Sequence, residues 1–353
     1  MMASAITEAF GIDEKFDLRK LSTGLINQTY KITPEKGGSY LLQQINTKVF
    51  LEPLAVQKNY RIIQRHLSQK GGFHLPEIVP ARNGELIFTY DNIVWRCFEF
   101  IPHTYSPAVS SNPDEAWQVA NCFGKFSAEL SDLDTKKLSI ILPGFHDLDF
   151  RFKQFETAVK AAVPERMKEA KRFIEQAYSH KLFIEYYQKI ASAKKQYPLH
   201  TLHHDCKIAN ILFKEGTSEI YSPIDLDTTQ PGLYFSDFGD MIRSMAPNLS
   251  ENETNINELI VRKDFYAAIK DGYLHSMQLY LTKEEWEDID MSGKIIVYMQ
   301  ALRFLTDYLN SDIYYHIDYP EQNKDRAANQ FQLLTLLIDY TKHLSEKKIY
   351  SGS

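Results

Sequence analysis

The sequence predicts an α+β fold with a small antiparallel sheet on the N-terminal side and a larger, mostly helical C-terminal region. Three observations carry this prediction. Short β-rich runs separated by turn residues fill most of the first hundred positions. Beyond Phe100, long segments with apolar residues at helical spacing dominate. With 353 residues, the chain is also long enough for two domains or two lobes around one cleft.

The first hairpin is expected where turn residues separate two β-rich runs. The runs are segments 26–32 and 40–45. The residues between them include Pro34, Gly37 and Gly38. Proline and glycine interrupt strand pairing and allow the chain to reverse. Two runs divided in this way are typical of a β-hairpin.

A helix and a second hairpin complete the N-terminal region. Segment 56–67 carries apolar residues closer to helical than to strand spacing. Two further strands are expected at 85–90 and 93–100. Asp91 and Asn92 lie between these strands, and their side chains tolerate the positive φ of a tight turn.

The chain changes character after Phe100. Segment 101–111 holds two prolines and several polar residues, which is typical of a linker. Asn112 then provides a helix N-cap, with Pro113 at the first helical position and Glu115 at the third. The remaining helices are expected near 149–162, 165–196, 263–280, 283–309 and 322–347. The expected organisation is an N-terminal lobe at 1–101, a linker at 102–112 and a helical lobe at 113–353.

The composition restricts the class of protein. Hydrophobic residues make up 44% and charged residues 24%, as in ordinary globular proteins. The net charge of −6 gives no reason to expect a basic face for nucleic acid. The sequence has no apolar run typical of a signal peptide or of a membrane span. Three cysteines without a CxxC spacing indicate a reducing compartment, so we expect a cytoplasmic protein without nucleic-acid or membrane partners.

Candidate chemistry is concentrated in segment 201–241, which interrupts the helical pattern. Its first motif is HxDxxxxN, formed by His203, Asp205 and Asn210. Its second motif is the acidic strand end IDLD at 224–227. Phosphoryl transfer needs a carboxylate to orient a hydroxyl and oxygen ligands to hold Mg²⁺ on the nucleotide phosphates. The two motifs together indicate the catalytic loop and metal loop of a protein-kinase-like fold.

Other site chemistries fit this sequence less well. His200, His203, His204 and Asp205 are conceivable zinc ligands, but the sequence has neither HExxH nor clustered cysteines. The nucleotide-binding motifs GxxxxGK[ST] and GxGxxG are missing from the sequence as well. The turn at Gly24 is therefore the expected flexible loop over the phosphates.

Several polar residues near the motifs are expected to be structural. His203 is interpreted as a packed histidine that braces the loop. Asp237 and Asp240 are interpreted as helix caps and loop braces, not as metal ligands. Cys206 is interpreted as a small buried residue and not as a nucleophile, because no base is paired with it in the sequence.

These motifs resemble a known superfamily of small-molecule kinases. Segments 203–213 and 224–227 and the Gly24 loop are similar to the aminoglycoside phosphotransferase and choline kinase superfamily. A closer resemblance is to the N-acetylhexosamine 1-kinases, over a range from about Gly24 to Arg326. It rests on YLLQQIN at 40–46, IDLDT at 224–228 with PG at 231–232, DFGD at 237–240 with Arg243, RFLTDYL at 303–309, DIY at 312–314 and YPE at 319–321.

The resemblance implies a bilobal kinase that uses ATP and Mg²⁺ to phosphorylate the anomeric hydroxyl of N-acetylglucosamine or N-acetylgalactosamine. By position, it implies Asp205 as the catalytic base and Lys207 as a cation against the transferred phosphate. It implies Asn210 and Asp225 as the metal ligands. The nucleotide ligands that it implies are Gly24, Asn27, Thr29, Gln43 and the hinge residues Glu99, Phe100 and Ile101. The acceptor ligands that it implies are Arg303, Asp307 and Tyr314.

The chain departs from the wider kinase pattern in one respect. Protein kinases keep a Lys on the third strand that pairs with a Glu of the following helix. The corresponding strand reads Leu42-Gln43-Gln44, and the helix near 54–67 has no acidic residue. Losing both members of a buried pair is tolerable, whereas losing one leaves an unpaired charge. We therefore expect an amide arrangement in place of the ion pair, in an enzyme that is still active.

Three alternatives stay open at this point. One is a different acceptor, such as choline, homoserine, methylthioribose or an aminoglycoside, although Arg303 disfavours a cationic acceptor. A second is a non-catalytic nucleotide-binding or sugar-binding protein, which the missing Lys and Glu support and the retained Asp205 opposes. A third is that Arg303 and Asp307 form a solvated i,i+4 ion pair without a role in binding. The sequence leaves the oligomeric state open.

Overall fold

The computed structural model describes residues 2–13, 15–21 and 26–351, with the side chains of 4–13, 15–21 and 26–342. The chain forms two compact units, each assembled from separated stretches. Unit 1 contains the chain up to Pro107, Glu129–Pro143 and Ala209–Pro231. Unit 2 contains Ala108–Ala128, Gly144–Ile208 and the chain from Gly232 onward. The expected lobe boundaries at 101 and 112 stay predictions.

The elements are numbered in chain order. The strands are β1 (Phe16–Leu21), β2 (Gln28–Pro34), β3 (Tyr40–Ile45), β4 (Ile78–Val79), β5 (Phe88–Tyr90), β6 (Ile93–Glu99), β7 (Thr104–Tyr105), β8 (His200–Leu202), β9 (Ile211–Lys214), β10 (Ile220–Pro223) and β11 (Gln230–Gly232). The α-helices are α1 (Met2–Ala9), α2 (Pro53–Lys70), α3 (Pro113–Glu129), α4 (Leu148–Ala161), α5 (Pro164–Ser179), α6 (Leu182–Ser192), α7 (Phe235–Met245), α8 (Lys263–Met277), α9 (Lys283–Glu287), α10 (Ser292–Leu309) and α11 (Gln322–Ser351).

Unit 1 is built on an antiparallel sheet. Its strands follow the order β1-β2-β3-β6-β4, and β5 pairs with the first half of β6. A second antiparallel sheet of the same unit has the order β10-β9-β7. The predicted α+β class, with an antiparallel sheet on the N-terminal side and a mostly helical remainder, is confirmed.

The large sheet packs against α1, a helix that the sequence analysis did not predict. Ile6 of this helix and Phe10, directly after it, belong to the same buried cluster as Ile32, Leu42 and Cys97 of the sheet. Isolated helices as short as α1 are unstable in water, so their local sequence signal is weak. Packing of its apolar face on the sheet is what stabilises this helix.

The strand β6 is buried, yet it carries a charged residue at its centre. Trp95, Arg96 and Cys97 are all less than 5% exposed. The pairing of β6 with β3 places Arg96 opposite Gln43. A guanidinium removed from water needs both hydrogen bonds and a counter-charge, so its partners must lie in its immediate surroundings.

Two local sequence signals are confirmed. Asp91 and Asn92 connect β5 and β6 with φ angles of 50° and 60°, the positive values of a type I′ hairpin turn. At the start of α3, the Asn112 side chain accepts a hydrogen bond from the Glu115 amide at 2.9 Å. The Glu115 carboxylate in turn accepts one from the amide of Ser111, the residue before the N-cap, at 2.6 Å.

Helix α10 is the central element of unit 2. It packs against α4, α5, α7 and α11, and Ile295, Tyr298 and Phe304 on it are buried. A helix with apolar residues on every side is typical of the interior of a helical layer. Within the described residues, we find no helix that is both long and apolar enough to cross a bilayer.

The helical boundaries differ from the prediction in three places. The predicted helix 165–196 is interrupted after Ser179 and resumes at Leu182. The predicted helix 283–309 is divided into α9 and α10. Helix α7 was not predicted, because its sequence mixes acidic and small residues with apolar ones. Asp237 and Asp240 therefore lie inside this helix, and the expectation that they cap a helix is wrong.

Candidate active site

The loop that contains the HxDxxxxN motif follows β8 in unit 2 and is held by a buried carboxylate. Asp237 accepts hydrogen bonds from the backbone amides of His203 at 3.1 Å and His204 at 2.8 Å. It also accepts one from the Ser127 hydroxyl at 3.0 Å. Amide donors of this kind compensate the burial of a carboxylate. Asp237 therefore braces the loop, as the sequence analysis expected.

His203 fixes the residue that we expect to be the base. Its ring is buried and packs edge-on against Phe123 and Phe126, with centroids 5.0 and 5.9 Å apart. Its Nδ1 accepts the backbone N–H of Asp205 at 3.3 Å. Lys207 Nζ donates to the Asp205 carboxylate at 2.8 Å, and both side chains are partly exposed. A partly exposed carboxylate is accessible to a substrate hydroxyl.

His204, directly before Asp205, has a strained backbone and a fixed ring. Its φ is +67°, a region that L residues other than glycine rarely adopt. Its Nδ1 lies 2.6 Å from the Ser236 hydroxyl oxygen, and His146 Nδ1 lies 2.5 Å from the same oxygen. One hydroxyl donates only one proton, so one histidine accepts at Nδ1 and the other donates. A side chain at Gly232 would collide with the His204 ring.

Burial shifts the pKa of three groups beside this loop, those of Cys206, Asp240 and His146. Burial raises the pKa of the Cys206 thiol well above its ordinary value, so a reactive thiolate does not form and the residue is a small buried filler. Burial also raises the pKa of Asp240, against the opposing effect of Arg243, whose Nε donates to it at 2.8 Å. Burial keeps the pKa of His146 well below its ordinary value, with His204 and then Arg303 contributing next.

The two expected metal ligands lie in unit 1 and are joined by the backbone. The Ile224 amide donates to the Asn210 carbonyl at 2.9 Å. Asp225 follows with φ of 60° and ψ of 53°, an unusual left-handed conformation. Asn210 is buried and Asp225 is exposed. One amide and one carboxylate supply oxygen donors, which fits the ligand preference of Mg²⁺.

A zinc cluster receives no support from the described residues. Within them, no group of three or more His, Cys, Asp or Glu residues is arranged to hold a metal ion. His200 is instead hydrogen-bonded through Nε2 to Glu285, at 2.9 Å.

The expected nucleotide ligands of β2 and β3 belong to one hydrogen-bonded cluster in unit 1. Gln43 donates to the Thr29 hydroxyl at 3.0 Å. Asn27 donates to Asp227 at 2.7 Å, and its own oxygen accepts the Asn46 amide at 2.9 Å. Gly24, the fourth expected ligand of this group, lies outside the described residues.

The cluster contains an ion pair that the sequence analysis missed. Arg96 donates to both oxygens of Asp227, at 2.6 and 2.7 Å. It also donates to Gln43 Oε1 at 2.9 Å and to Gln57 Oε1 at 3.2 Å. The expected amides are therefore present, but they flank a buried ion pair instead of replacing it. The signal that could have revealed it is an arginine in the middle of an apolar strand, which requires a counter-charge elsewhere in the chain.

The expected hinge residues follow the end of β6. The Glu99 amide donates to the Glu77 carbonyl at 2.9 Å, and the Phe100 amide donates to the Ser39 carbonyl at 2.9 Å. The carbonyl of Ile101 accepts from the Thr104 hydroxyl at 2.8 Å. Glu99 is exposed, whereas Phe100 and Ile101 are half-buried. Their role in nucleotide binding stays a prediction.

The three expected acceptor ligands line one cavity of unit 2, with a volume of about 570 Å³. Cavities of this size are typical of small-molecule sites. The wall is formed by residues of α4 and α10 and of the turn after α10: Phe150, Arg151, Lys153, Gln154, Thr157, Ala158, Arg303, Thr306, Asp307, Asn310, Ile313, Tyr314 and Tyr315. Arg303, Asp307 and Tyr314 are thus brought together, as their assignment requires.

Arg303 and Asp307 do not pair with each other. Arg303 donates to Gln300 Oε1 at 3.0 Å, and its guanidinium lies over the rings of Phe145 and Tyr315, 5.3 and 5.6 Å from their centroids. The solvated i,i+4 ion pair considered from the sequence is therefore not formed.

The Asp307 carboxylate holds the turn that follows α10. It accepts hydrogen bonds from the amides of Tyr314 and Tyr315 and from the Asn323 side chain, each at 2.9 Å. Asp307 itself is only 4% exposed. These three donors use both oxygens, so Asp307 fixes the backbone of Tyr314, whose ring is exposed.

Arg151 is a cavity residue that sequence reasoning missed. Its guanidinium donates to the Phe145 carbonyl at 3.3 and 3.4 Å and to Gln154 Oε1 at 2.9 Å. Burial lowers the pKa of Arg151 to about 10, and the charge of Arg303 is the next contribution. The charge of Arg303 thus acts on Arg151, and among the described residues neither guanidinium is hydrogen-bonded to a carboxylate. Arg151 lies on a helix with no motif of its own, so no sequence signal marked it.

Comparison with known proteins identifies the family. The model of the phosphotransferase enzyme family matches residues 17–277, which is more than half of the chain. A microcompartment-associated aminopropanol kinase of known structure is 16% identical, with a TM-score of 0.63 and 97% of each chain covered.

Two further solved structures share the fold. An aminoglycoside phosphotransferase from Alicyclobacillus acidocaldarius is 12% identical, with a TM-score of 0.57 and 96% of each chain covered. The amicoumacin kinase hAmiN, solved with AMP-PNP, Ca²⁺ and Ami, is 13% identical, with a TM-score of 0.56; the alignment covers 94% of this chain and 92% of that one. Together with the family match, these likenesses identify the α+β architecture as protein-kinase-like, and the chain belongs to the phosphotransferase enzyme family.

Proposed function

We propose that this phosphotransferase uses ATP to phosphorylate the anomeric hydroxyl of an N-acetylhexosamine, N-acetylglucosamine or N-acetylgalactosamine, and releases the sugar 1-phosphate. The use of ATP is supported by the amicoumacin kinase of the same fold, which was solved with AMP-PNP. The choice of acceptor is supported by the sequence motifs at 303–309 and 312–314.

The observation that carries the acceptor assignment is the chemistry of the cavity in unit 2. Its wall offers the guanidinium groups of Arg151 and Arg303 and the ammonium of Lys153, which is paired with Asp149; among the described lining residues one is an acid, Asp307. Because that acid is engaged by three N–H donors, the wall presents mainly hydrogen-bond donors and aromatic rings. Such a wall suits hydroxyl and acetamido oxygens, which accept hydrogen bonds. Tyr314 supplies an exposed ring against which a sugar face can pack.

The chemistry assigned to the chain is orientation and proton handling at the acceptor hydroxyl. Asp205 accepts a hydrogen bond from that hydroxyl and takes up its proton as the new oxygen bond to the γ-phosphorus forms and the bond from that phosphorus to the leaving ADP breaks. Lys207, which donates to Asp205, supplies a cation beside the transferred phosphate. Asn210 and Asp225 would hold Mg²⁺, which neutralises charge on the nucleotide phosphates when bound. His203 keeps the Asp205 backbone in place.

Several of the competing acceptors are cationic. Aminopropanol, the substrate in the name of one structural neighbour, carries an ammonium group at neutral pH, as do aminoglycosides and choline-like compounds. Recognition of a cation needs free carboxylates or an aromatic cage. The excess of cationic residues in the cavity wall opposes such acceptors.

The test is a coupled assay of ADP release over a panel of acceptors, with Mg²⁺ and with excess EDTA. We expect turnover with N-acetylglucosamine or N-acetylgalactosamine that needs Mg²⁺, and background rates with choline, aminopropanol and aminoglycosides. The proposal is wrong if a cationic acceptor is turned over with a higher kcat/KM than both N-acetylhexosamines. Release of ADP that is equal with and without acceptors would reduce the assignment to a nucleotide hydrolase.

A further inference from the structure

The buried ion pair of unit 1 occupies the place in the fold where kinases keep a Lys and a Glu. The strand position of the Lys is Gln43, and the helix α2 that supplies the Glu has no acidic residue. Arg96 lies on the neighbouring strand, directly opposite Gln43. Its counter-ion, Asp227, comes from the segment after β10. Compared with the Lys and Glu of other kinases, the cation of this pair lies on the neighbouring strand, and the anion lies in the acidic motif instead of on the helix.

The strand and the helix that carry the Lys and the Glu in other kinases still contact the Arg96–Asp227 pair. Gln43 and Gln57, on β3 and α2, both accept hydrogen bonds from the Arg96 guanidinium. Gln57 is fully buried, and its Nε2 has no hydrogen-bond partner among the described residues. A fork of five donors can bind two amides and a carboxylate at once, which a lysine ammonium cannot do in a planar arrangement. The pair therefore joins the sheet to α2 as the Lys and Glu of other kinases do.

The same pair also determines where the acidic motif lies. The Asp227 carboxylate accepts hydrogen bonds from both terminal nitrogens of Arg96 and from the Asn27 side chain. It belongs to the short 3-10 turn Leu226–Thr228, which directly follows Asp225. Asp225 has a left-handed backbone, a conformation that the surrounding structure must hold. The anchored carboxylate two residues later supplies that restraint.

Stability alone is a poor reason for such a pair. Buried ion pairs can often be replaced by apolar residues of similar volume without loss of stability. A buried pair with bidentate geometry and two flanking amides does, however, define one position for each element that it joins. A buried pair at this place is useful if the elements that it positions bind a ligand, because a binding site needs accurate geometry.

We propose that Arg96 and Asp227 are positioning residues that replace the Lys and Glu pair of other kinases and hold Asp225 and the Asn27–Gln43 face in place for a nucleotide with its metal. The proposal rests on the proposed use of ATP, but it is independent of the acceptor. It assigns a role to Arg96, Asp227 and Gln57, none of which the sequence analysis placed in the site.

The test measures nucleotide binding by calorimetry, without any acceptor. The double variant Arg96→Gln/Asp227→Asn removes both charges together and keeps the volumes of the side chains. We expect its Kd for Mg-ATP to rise by about 10-fold or more, since phosphate and metal contacts need the positioned elements. Its affinity for adenosine, which has neither phosphate nor metal, should change by less than about 2-fold.

The matched control is Lys70→Gln/Asp132→Asn, which removes an exposed ion pair of the same unit. Thermal unfolding of all variants shows whether they fold. A folded Arg96→Gln/Asp227→Asn variant that binds Mg-ATP like the control would overturn the proposal, because a purely structural pair predicts that result.

A second variant, Arg96→Lys, retains the charge and covers the case in which the double variant does not fold. Lysine can pair with Asp227 but cannot also hold both amides. We expect this folded variant to bind Mg-ATP roughly 3-fold or more weakly, with adenosine binding unchanged. An Arg96→Lys variant that binds Mg-ATP with wild-type affinity would contradict the proposal. Because no acceptor is present, failure to phosphorylate any sugar leaves this result unaffected.

Discussion

Arg96 of unit 1 and the two cavity arginines of unit 2, Arg151 and Arg303, differ in how their charge is satisfied. In unit 1, Arg96 is 2% exposed and has a bidentate carboxylate partner in Asp227. In the cavity of unit 2, Arg151 and Arg303 donate to a backbone carbonyl and to amide side chains, and Arg303 also lies over aromatic rings. Arg96 has a hydrogen-bonded carboxylate partner, whereas among the described residues no carboxylate is hydrogen-bonded to Arg151 or Arg303.

This difference separates positioning from binding. A neutralised guanidinium has its strongest interaction inside the protein, so it holds elements together and has little left for a ligand. A guanidinium that is hydrogen-bonded only to neutral oxygens keeps its attraction for oxygen atoms of a ligand and its repulsion of ligand cations. We therefore expect changes at Arg96 to alter nucleotide binding and changes at Arg151 or Arg303 to alter acceptor choice.

The largest effect on turnover is expected at Asp205, and the effects of changes at Arg96 and at the cavity arginines are compared with it. Asp205→Asn should lower kcat by about 10² to 10⁴, as expected for removal of a positioned general base. The KM for ATP should change little, because the substitution is isosteric. Steady-state kinetics of the variant beside Asp132→Asn, an exposed acid, measure this. A variant that retains more than half of the wild-type rate would show that Asp205 is not the base.

The metal ligands should behave as one unit. Asn210→Ala and Asp225→Ala should each lower kcat on the order of 10²-fold, and the double variant should lose little more than either single variant. The reason is that the first substitution already removes the shared ion. A double-mutant cycle in kcat, at several Mg²⁺ concentrations, measures the coupling. Losses that multiply across the cycle would mean that the two residues do not share a metal.

The cavity arginines should act on the acceptor alone. Arg303→Ala and Arg151→Gln should each lower acceptor kcat/KM by about 5-fold to 150-fold, equivalent to about 1 to 3 kcal/mol for an unmade hydrogen bond. The KM for ATP should be unchanged. Kinetics with N-acetylglucosamine and N-acetylgalactosamine test this, with Lys171→Gln on an exposed helix face as the control. Wild-type acceptor kinetics in both variants would remove these residues from the site.

Asp307 should affect stability more than turnover. Asp307→Ala leaves three N–H donors without their acceptor, so we expect the free energy of unfolding to fall by about 1 to 3 kcal/mol. Urea unfolding, compared with the exposed-acid variant Glu175→Ala, measures this. The expectation from the resemblance, that Asp307 binds the sugar, would instead be favoured by unchanged stability and a large loss of acceptor kcat/KM.

The smallest effect is expected at the exposed pair of Lys70 and Asp132. The hydrogen bond from Lys70 lowers the pKa of Asp132 to about 2. The pKa of Asp132 in the unfolded chain is near 4, so the lowered pKa stabilises the folded state at pH values above about 4. This contribution to stability disappears as the pH falls through the folded-state pKa of about 2. Because Asp132 is exposed, Lys70→Gln should reduce stability by only about 0.2 to 1 kcal/mol at neutral pH. Urea unfolding at pH 7 and pH 2 should show the difference shrinking; a constant difference would contradict the pairing.

The fold class was predictable because its signals are local. The Asp91-Asn92 turn and the start of α3 follow from residues adjacent in sequence. The ion pair of Arg96 was not predictable in the same way, because its partner lies 131 residues away. Helix α7 escaped prediction since its acids are satisfied by distant groups, among them the Ser127 hydroxyl.

The candidate site residues show the same limit: contacts between residues distant in sequence could not be predicted. The motif of Asp205, Asn210 and Asp225 is visible in sequence because phosphotransfer chemistry constrains its spacing. Arg151 is visible only in the structure, where α4 and α10 line the same cavity. Asp307 was chosen for its position, but only its three hydrogen bonds reveal that it holds a turn. The partners of a polar side chain therefore decide its role more than its type does.

The most direct test of the account compares two acceptors that differ in a single group. N-acetylglucosamine and glucosamine differ only in the acetyl group, and glucosamine is a cation below the pKa of its amine. At such a pH, we expect kcat/KM for N-acetylglucosamine to exceed that for glucosamine by about 10-fold or more, with a smaller ratio in Arg151→Gln. Equal or faster turnover of glucosamine by the wild-type enzyme would contradict the claim that unneutralised arginines select the acceptor.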